Sequence, residues 1–188
     1  MKLSRKRVIA GILALIVLVL TARAVIPSVR FLVGVVVFTR KWVRHAERGR
    51  DHLFFETDYQ ELLAACRDLS KRAAAGELPS GSYNVCFGKR DPETLSFPQV
   101  ILDLEPSRVF TDLWGGGEVC IELMPGPEWR GVIACPEGSE KQGNVKLIEG
   151  LWYCDPGYQH TRPKYVTRIN DMIEKGRQLR ASRAAPPP

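Results

Sequence analysis

Val8–Leu20 is a run of thirteen residues without a polar side chain, and no other stretch of this 188-residue chain limits its fold so strictly. A helix on the surface of a soluble domain carries a polar face, and this run has none. Thr21–Ile26 extend the run and Pro27 closes it, so the 19 residues of Val8–Ile26 make about 28 Å of helix at roughly 1.5 Å per residue. The hydrocarbon core of a bilayer is about 30 Å thick. Arg23 lies near the far end, where its long stem reaches the headgroups.

Residues 8–26 are therefore expected to form a transmembrane anchor behind a basic tail, residues 1–7, that carries Lys2, Arg5, Lys6 and Arg7. The same residues fit a cleavable secretory signal, with a basic start, an apolar run and Ala22-x-Ala24, which would release a secreted domain after Ala24. Arg23 inside that cleavage box, and a second apolar cluster at Phe31–Phe38, favour the anchor. The basic tail favours a cytoplasmic N-terminus with the body on the far side. Arg30, Arg40 and Lys41 beyond the span reduce that asymmetry.

Charge divides the chain in three. Residues 1–50 hold 11 Lys/Arg against 1 acid, residues 51–160 hold 9 against 18, and residues 161–188 hold 7 against 2. The body is acidic, which argues against nucleic acid as its partner. Basic residues beside an apolar span point instead to the lipid bilayer and its anionic headgroups. Residues 27–52 read as a juxtamembrane apolar and basic segment, helical over Val29–His45, with a linker at 39–52. Within it, Arg40, Lys41, Trp42 and Arg44 have the composition of a membrane interface: an indole at headgroup level, flanked by cations that meet phosphate.

Residues 53–180 are expected to fold as an α+β domain. Thr57-Asp58-Tyr59-Gln60 reads as a capping box. Tyr59, Leu62, Leu63, Cys66, Leu69 and Ala73 then recur at helical spacing up to Gly76 and Pro79. After Pro79 the period changes to two. Strands are expected at Tyr83–Phe87, Val100–Leu104, Arg108–Leu113, Val119–Met124, Arg130–Cys135, and in Val145–Ile148 and Leu151–Cys154 around Gly150. No helix separates these strands, so the sheet should be antiparallel, of about five or six strands, flanked by one helix before and one after. Pro163 opens the last helix, which Gly176 should weaken, and residues 181–188 form a Pro-rich disordered tail.

Chemical motifs are sparse. His45, His52 and His160 show no helical metal spacing, and Cys66, Cys86, Cys120, Cys135 and Cys154 contain no C-x-x-C. No P-loop, G-x-S-x-G or G-x-G-x-x-G occurs, so no cofactor or metal is expected. Gly115-Gly116-Gly117 reads as a hairpin turn, with anion binding by its backbone N–H groups as the rival. Cys154 and His160, separated by a turn, are the one candidate nucleophile and base. Asp103, Glu105, Asp112, Glu118 and Glu122 read as carboxylates on a solvated sheet face, and the cysteines as mostly buried thiols. The expected function is a single-pass, membrane-anchored, non-catalytic domain that binds or scaffolds a protein partner at the membrane surface. The alternatives are a membrane-bound enzyme using Cys154 and His160, and the secreted domain.

Overall fold

Tyr83, Val109, Ile121, Val132, Tyr153 and Val145 stand opposite one another on six adjacent strands, and all six are buried. This row is the base of the hydrophobic core. The strands are β1 (Gly81–Asn84), β2 (Arg108–Thr111), β3 (Val119–Met124), β4 (Arg130–Ala134), β5 (Val145–Ile148) and β6 (Leu151–Cys154). They form one antiparallel sheet in the order β1-β2-β3-β4-β6-β5. The fold comes from a computed structural model that describes residues 36–86, 89–112, 115–124, 130–136, 139, 144–155 and 163–184. The body is one compact unit starting at Val43.

Three helices add to this core. Helix α1 covers residues 36–55, α2 is Tyr59–Ala74, and the C-terminal helix is Pro163–Ala184. Leu53 and Phe54 of α1, Leu62, Cys66 and Leu69 of α2, and Ile169 and Ile173 of the C-terminal helix join a single buried cluster with the strand row. Phe54 meets Tyr153 edge-on, with ring centroids 5.0 Å apart. The reverse face of the sheet carries a smaller cluster of Cys120, Ile133, Cys135, Trp152 and Cys154, beside Phe110.

The α+β class, the antiparallel sheet and the helices before and after it follow the sequence pattern. Helix α2 ends as expected: Gly76 has φ +74, its N–H bonds to the Ala73 carbonyl, and Glu77 N–H bonds to the Arg72 carbonyl. The hairpins at Gly115–Gly117 and Gly150 also form, with φ +71, +74 and +83 at Gly115, Gly117 and Gly150.

Other details differ. Residues 39–52 are helical rather than a linker, because Ala46, Gly49 and Arg50 lie buried on the face that continues to Leu53 and Phe54. A Cβ on Gly49 would lie 2.5 Å from the Leu104 carbonyl oxygen, so this glycine serves close approach. The N-cap of α2 is Asp58, whose carboxylate accepts from Gln60 N–H at 2.8 Å and Glu61 N–H at 3.3 Å. Thr57 is committed to α1, donating to the His52 carbonyl at 3.2 Å.

Val100–Leu104 is not a strand. A 3-10 turn at Pro92–Ser96 leads into a one-turn helix, α3 (Gln99–Leu102), whose N-cap is Pro98. The apolar residues Ile101 and Leu104 are fully buried, so the segment packs into the core without a pairing partner in the sheet.

The C-terminal helix, α4, continues through Ala184 and does not stop at Gly176. Gly176 is its crossing point over α1, where a Cβ would stand 1.8 Å from the Phe54 carbonyl oxygen. Arg180 donates to that same carbonyl and lies over the Tyr59 ring, 4.1 Å from its centroid. The cation thereby caps the C-terminus of α1, where the helix dipole is negative.

Candidate functional site

Residues 8–26 lie outside the described residues, and among the described residues no helix is long and apolar enough to cross a membrane. The expected interfacial residues are described, at the start of α1. Arg40, Lys41 and Arg44 are exposed and Trp42 is half-buried. The Trp42 ring packs on Phe38 with centroids 5.4 Å apart and planes at 58°. Val36, Val37 and Phe38 remain 48%, 60% and 59% exposed. Three exposed apolar side chains are thus closely followed in sequence by Arg40 and Lys41.

Cys154 is buried at the end of β6, while His160 lies outside the described residues. The glycine turn is occupied by its own carboxylate: Gly117 N–H donates to Asp112 Oδ1 at 2.8 Å, and Asp112 is held at φ +55. That donor is already committed within the protein. Among the described residues no group of three or more His, Cys, Asp or Glu is placed to hold a metal ion.

The cysteines are thiols, with Cys66, Cys120, Cys135 and Cys154 buried and Cys86 exposed. The sheet register keeps the strand cysteines out of direct pairing, since Cys120 faces Phe110 and Ile133, and Cys154 faces Gly131. A bridge needs Cα atoms within about 7 Å, and among the described residues no ladder position sets two cysteines opposite each other. Burial pushes the Cys66 thiol up to about 12, so it is not a thiolate nucleophile near neutral pH.

One acidic residue departs from the solvated-face reading. Glu122 is 1% exposed and sits opposite Arg108 in the β2–β3 ladder. Arg108 Nε donates to one carboxylate oxygen at 2.6 Å, Nη2 donates to the other at 3.1 Å, and Ser107 Oγ adds a third bond at 3.0 Å. This bidentate pair satisfies a charge that would otherwise be costly to bury. Glu105, by contrast, is half-exposed at φ +47 and receives α1: the His45 ring lies 2.6 Å from its carbonyl oxygen, and Arg48 lies 3.4 Å from its carboxylate.

A second buried polar cluster stands at the end of β6. Asp155 is fully buried and accepts from Tyr153 at 3.0 Å and from Tyr165 at 2.7 Å. Arg130 Nε stands 3.3 Å from the same carboxylate. Burial, followed by the Asp155 hydrogen bond and charge, pushes the Tyr165 hydroxyl up to about 12. Burial, with the charge of Asp155 next, also raises Tyr153 well above the ordinary tyrosine range. Both phenols therefore stay protonated and donate. The cluster joins β4, β6 and the first turn of α4. In the sequence Asp155 reads only as the start of a turn. The Tyr153-x-Asp155 spacing, which puts both side chains on one sheet face, is the signal that could have found it.

These side chains hold the fold together. No protein-family model, curated protein or solved structure matches this chain.

Proposed function

We propose that this is a single-pass, N-terminally anchored, non-catalytic protein whose α+β body binds or scaffolds a protein partner at a membrane surface. One observation carries the reading: thirteen consecutive residues, Val8–Leu20, without a polar side chain, directly behind Arg5, Lys6 and Arg7. The start of α1 supports it. Exposed Val36, Val37 and Phe38 suit the acyl boundary, while Arg40, Lys41 and Arg44 suit anionic headgroups, with Trp42 between the two. The body lies across the membrane from a cytoplasmic N-terminus.

Fractionation of cells expressing the full chain tests this. The protein should stay in the membrane pellet through high salt and alkaline carbonate, because apolar burial is not screened by salt. Deletion of residues 1–26 should move most of it to the supernatant. Release of the intact chain by carbonate would overturn the anchor. A mature N-terminus at Val25 would assign the secreted form instead.

A further inference from the structure

At the start of α1 polarity changes along the helix axis and not around it. Residues four apart share one face of a helix. Val36 is therefore followed on its own face by Arg40, Val37 by Lys41 and Phe38 by Trp42. The contact between the Phe38 and Trp42 rings, with centroids 5.4 Å apart, is one of these pairs. Val36, Val37 and Phe38 are all exposed, and three successive residues sweep about 200° of the helix surface. Each of these faces carries an apolar side chain first and a cation or an indole about 6 Å further along. Arg44 adds another cation one turn beyond Arg40. Arg40, Lys41 and Arg44 are exposed, and among the described residues their side chains make no ion pair or hydrogen bond.

A helix that lies in the plane of an interface keeps its cations on one side and its apolar residues on the other. The start of α1 cannot meet that condition. Laying the faces of Val36 and Val37 into an acyl layer would carry Arg40 and Lys41 in with them. Resting on the membrane reading, we propose that the start of α1 crosses the boundary between acyl chains and headgroups end-on, and that Arg40, Lys41 and Arg44 form a collar selecting anionic phospholipid. Val36, Val37 and Phe38 then sit at the depth of the acyl chains, with Trp42 at headgroup level. The phosphate of an anionic lipid meets a guanidinium fork with no other cation beside it, whereas a zwitterionic lipid brings its own cation.

The test uses the full chain reconstituted in phosphatidylcholine vesicles with and without phosphatidylglycerol. Single nitroxide labels go on Val36→Cys, Val37→Cys, Phe38→Cys, Arg40→Cys and Lys41→Cys, with the exposed Cys86 replaced by serine. Collision with oxygen against a water-soluble nickel complex reads depth at each label. Labels at 36, 37 and 38 should all favour oxygen, whichever face they occupy, and labels at 40 and 41 should favour nickel. An oscillation with the helical period would place the helix in the plane of the interface, and nickel access at all five would remove it from the membrane; either overturns the proposal. Chain that sediments with the vesicles yet gives one of those patterns loses the end-on crossing and keeps the anchor, whereas chain left in the supernatant loses both. For the collar, spin-labelled phosphatidylglycerol should associate with the chain about fivefold more strongly than phosphatidylcholine at low salt. Arg40→Gln, Lys41→Gln and Arg44→Gln together should bring that ratio to about one, while Arg40→Lys with Arg44→Lys should keep it. Equal association of both lipids with the parent chain, or an unchanged ratio in the glutamine variant, overturns the collar.

Discussion

Replacing Gly176 by alanine should destabilise the protein, although glycine-to-alanine changes within helices ordinarily do the opposite. Gly176 lies inside α4, where alanine gains about 1 kcal/mol in helix propensity. The new Cβ would stand 1.8 Å from the Phe54 carbonyl oxygen and 2.8 Å from its carbon. Both are backbone atoms of α1, so no side chain can rotate away. The helices must separate by about 1 Å or more before the methyl fits. Overpacking of this kind costs typically about 1–3 kcal/mol and occasionally more. Separation also weakens the Arg180 contact with the Phe54 carbonyl and its stacking on Tyr59, another ~1 kcal/mol. The net expectation for Gly176→Ala is a loss of about 2 kcal/mol, or roughly 4–8 °C in Tm for a body of this size. Urea titrations of the full chain in mild detergent, followed by far-UV circular dichroism, measure it. Asn170→Ala, exposed on the same helix, is the control and should be neutral or stabilising by up to about 0.7 kcal/mol. If Gly176→Ala were as stable as the parent chain, the close crossing of α4 over Phe54 would be wrong.

Three further outcomes are expected. Arg108→Ala should cost more than Glu122→Ala, because a carboxylate that is 1% exposed is stranded, whereas a half-exposed guanidinium can turn to water; paired urea titrations compare them, and the reverse order would contradict the burial argument. Stability should fall as pH rises from about 9 towards 12: the Cys66 thiol is raised in the fold to about 12, so the unfolded chain loses its proton first, and stability present below the unfolded value is lost above it. Tyr153 and Tyr165 act in the same direction from about pH 10, so Cys66→Ala should shallow the alkaline decline without abolishing it, and an unchanged profile would refute the Cys66 contribution. Tyr165→Phe should cost about 1 kcal/mol by removing one of the bonds to Asp155, while Asp155→Ala should cost about 3 kcal/mol or more by leaving Arg130 beside a lost charge; equal effects would place the carboxylate outside the network.

Much of the fold is legible in the sequence because its signals are local. The period-two pattern of Val119–Met124, the paired segments around Gly150, the amphipathic α2 ending at Gly76 and the Pro163 helix start each depend on neighbours a few residues away. Tertiary structure decided what depends on distant backbone. Gly49 and Gly176 look like helix breakers until Leu104 and Phe54 are placed against them. Val100–Leu104 has strand composition but packs as a helical turn, because burial accepts any backbone that hides Ile101 and Leu104. Glu122 reads as a surface acid and Asp155 as the start of a turn, and only the ladder opposite Arg108 and the docking of Tyr165 make their burial tolerable. A linear chain records the period of each element, and the contacts between elements arise only when their faces meet.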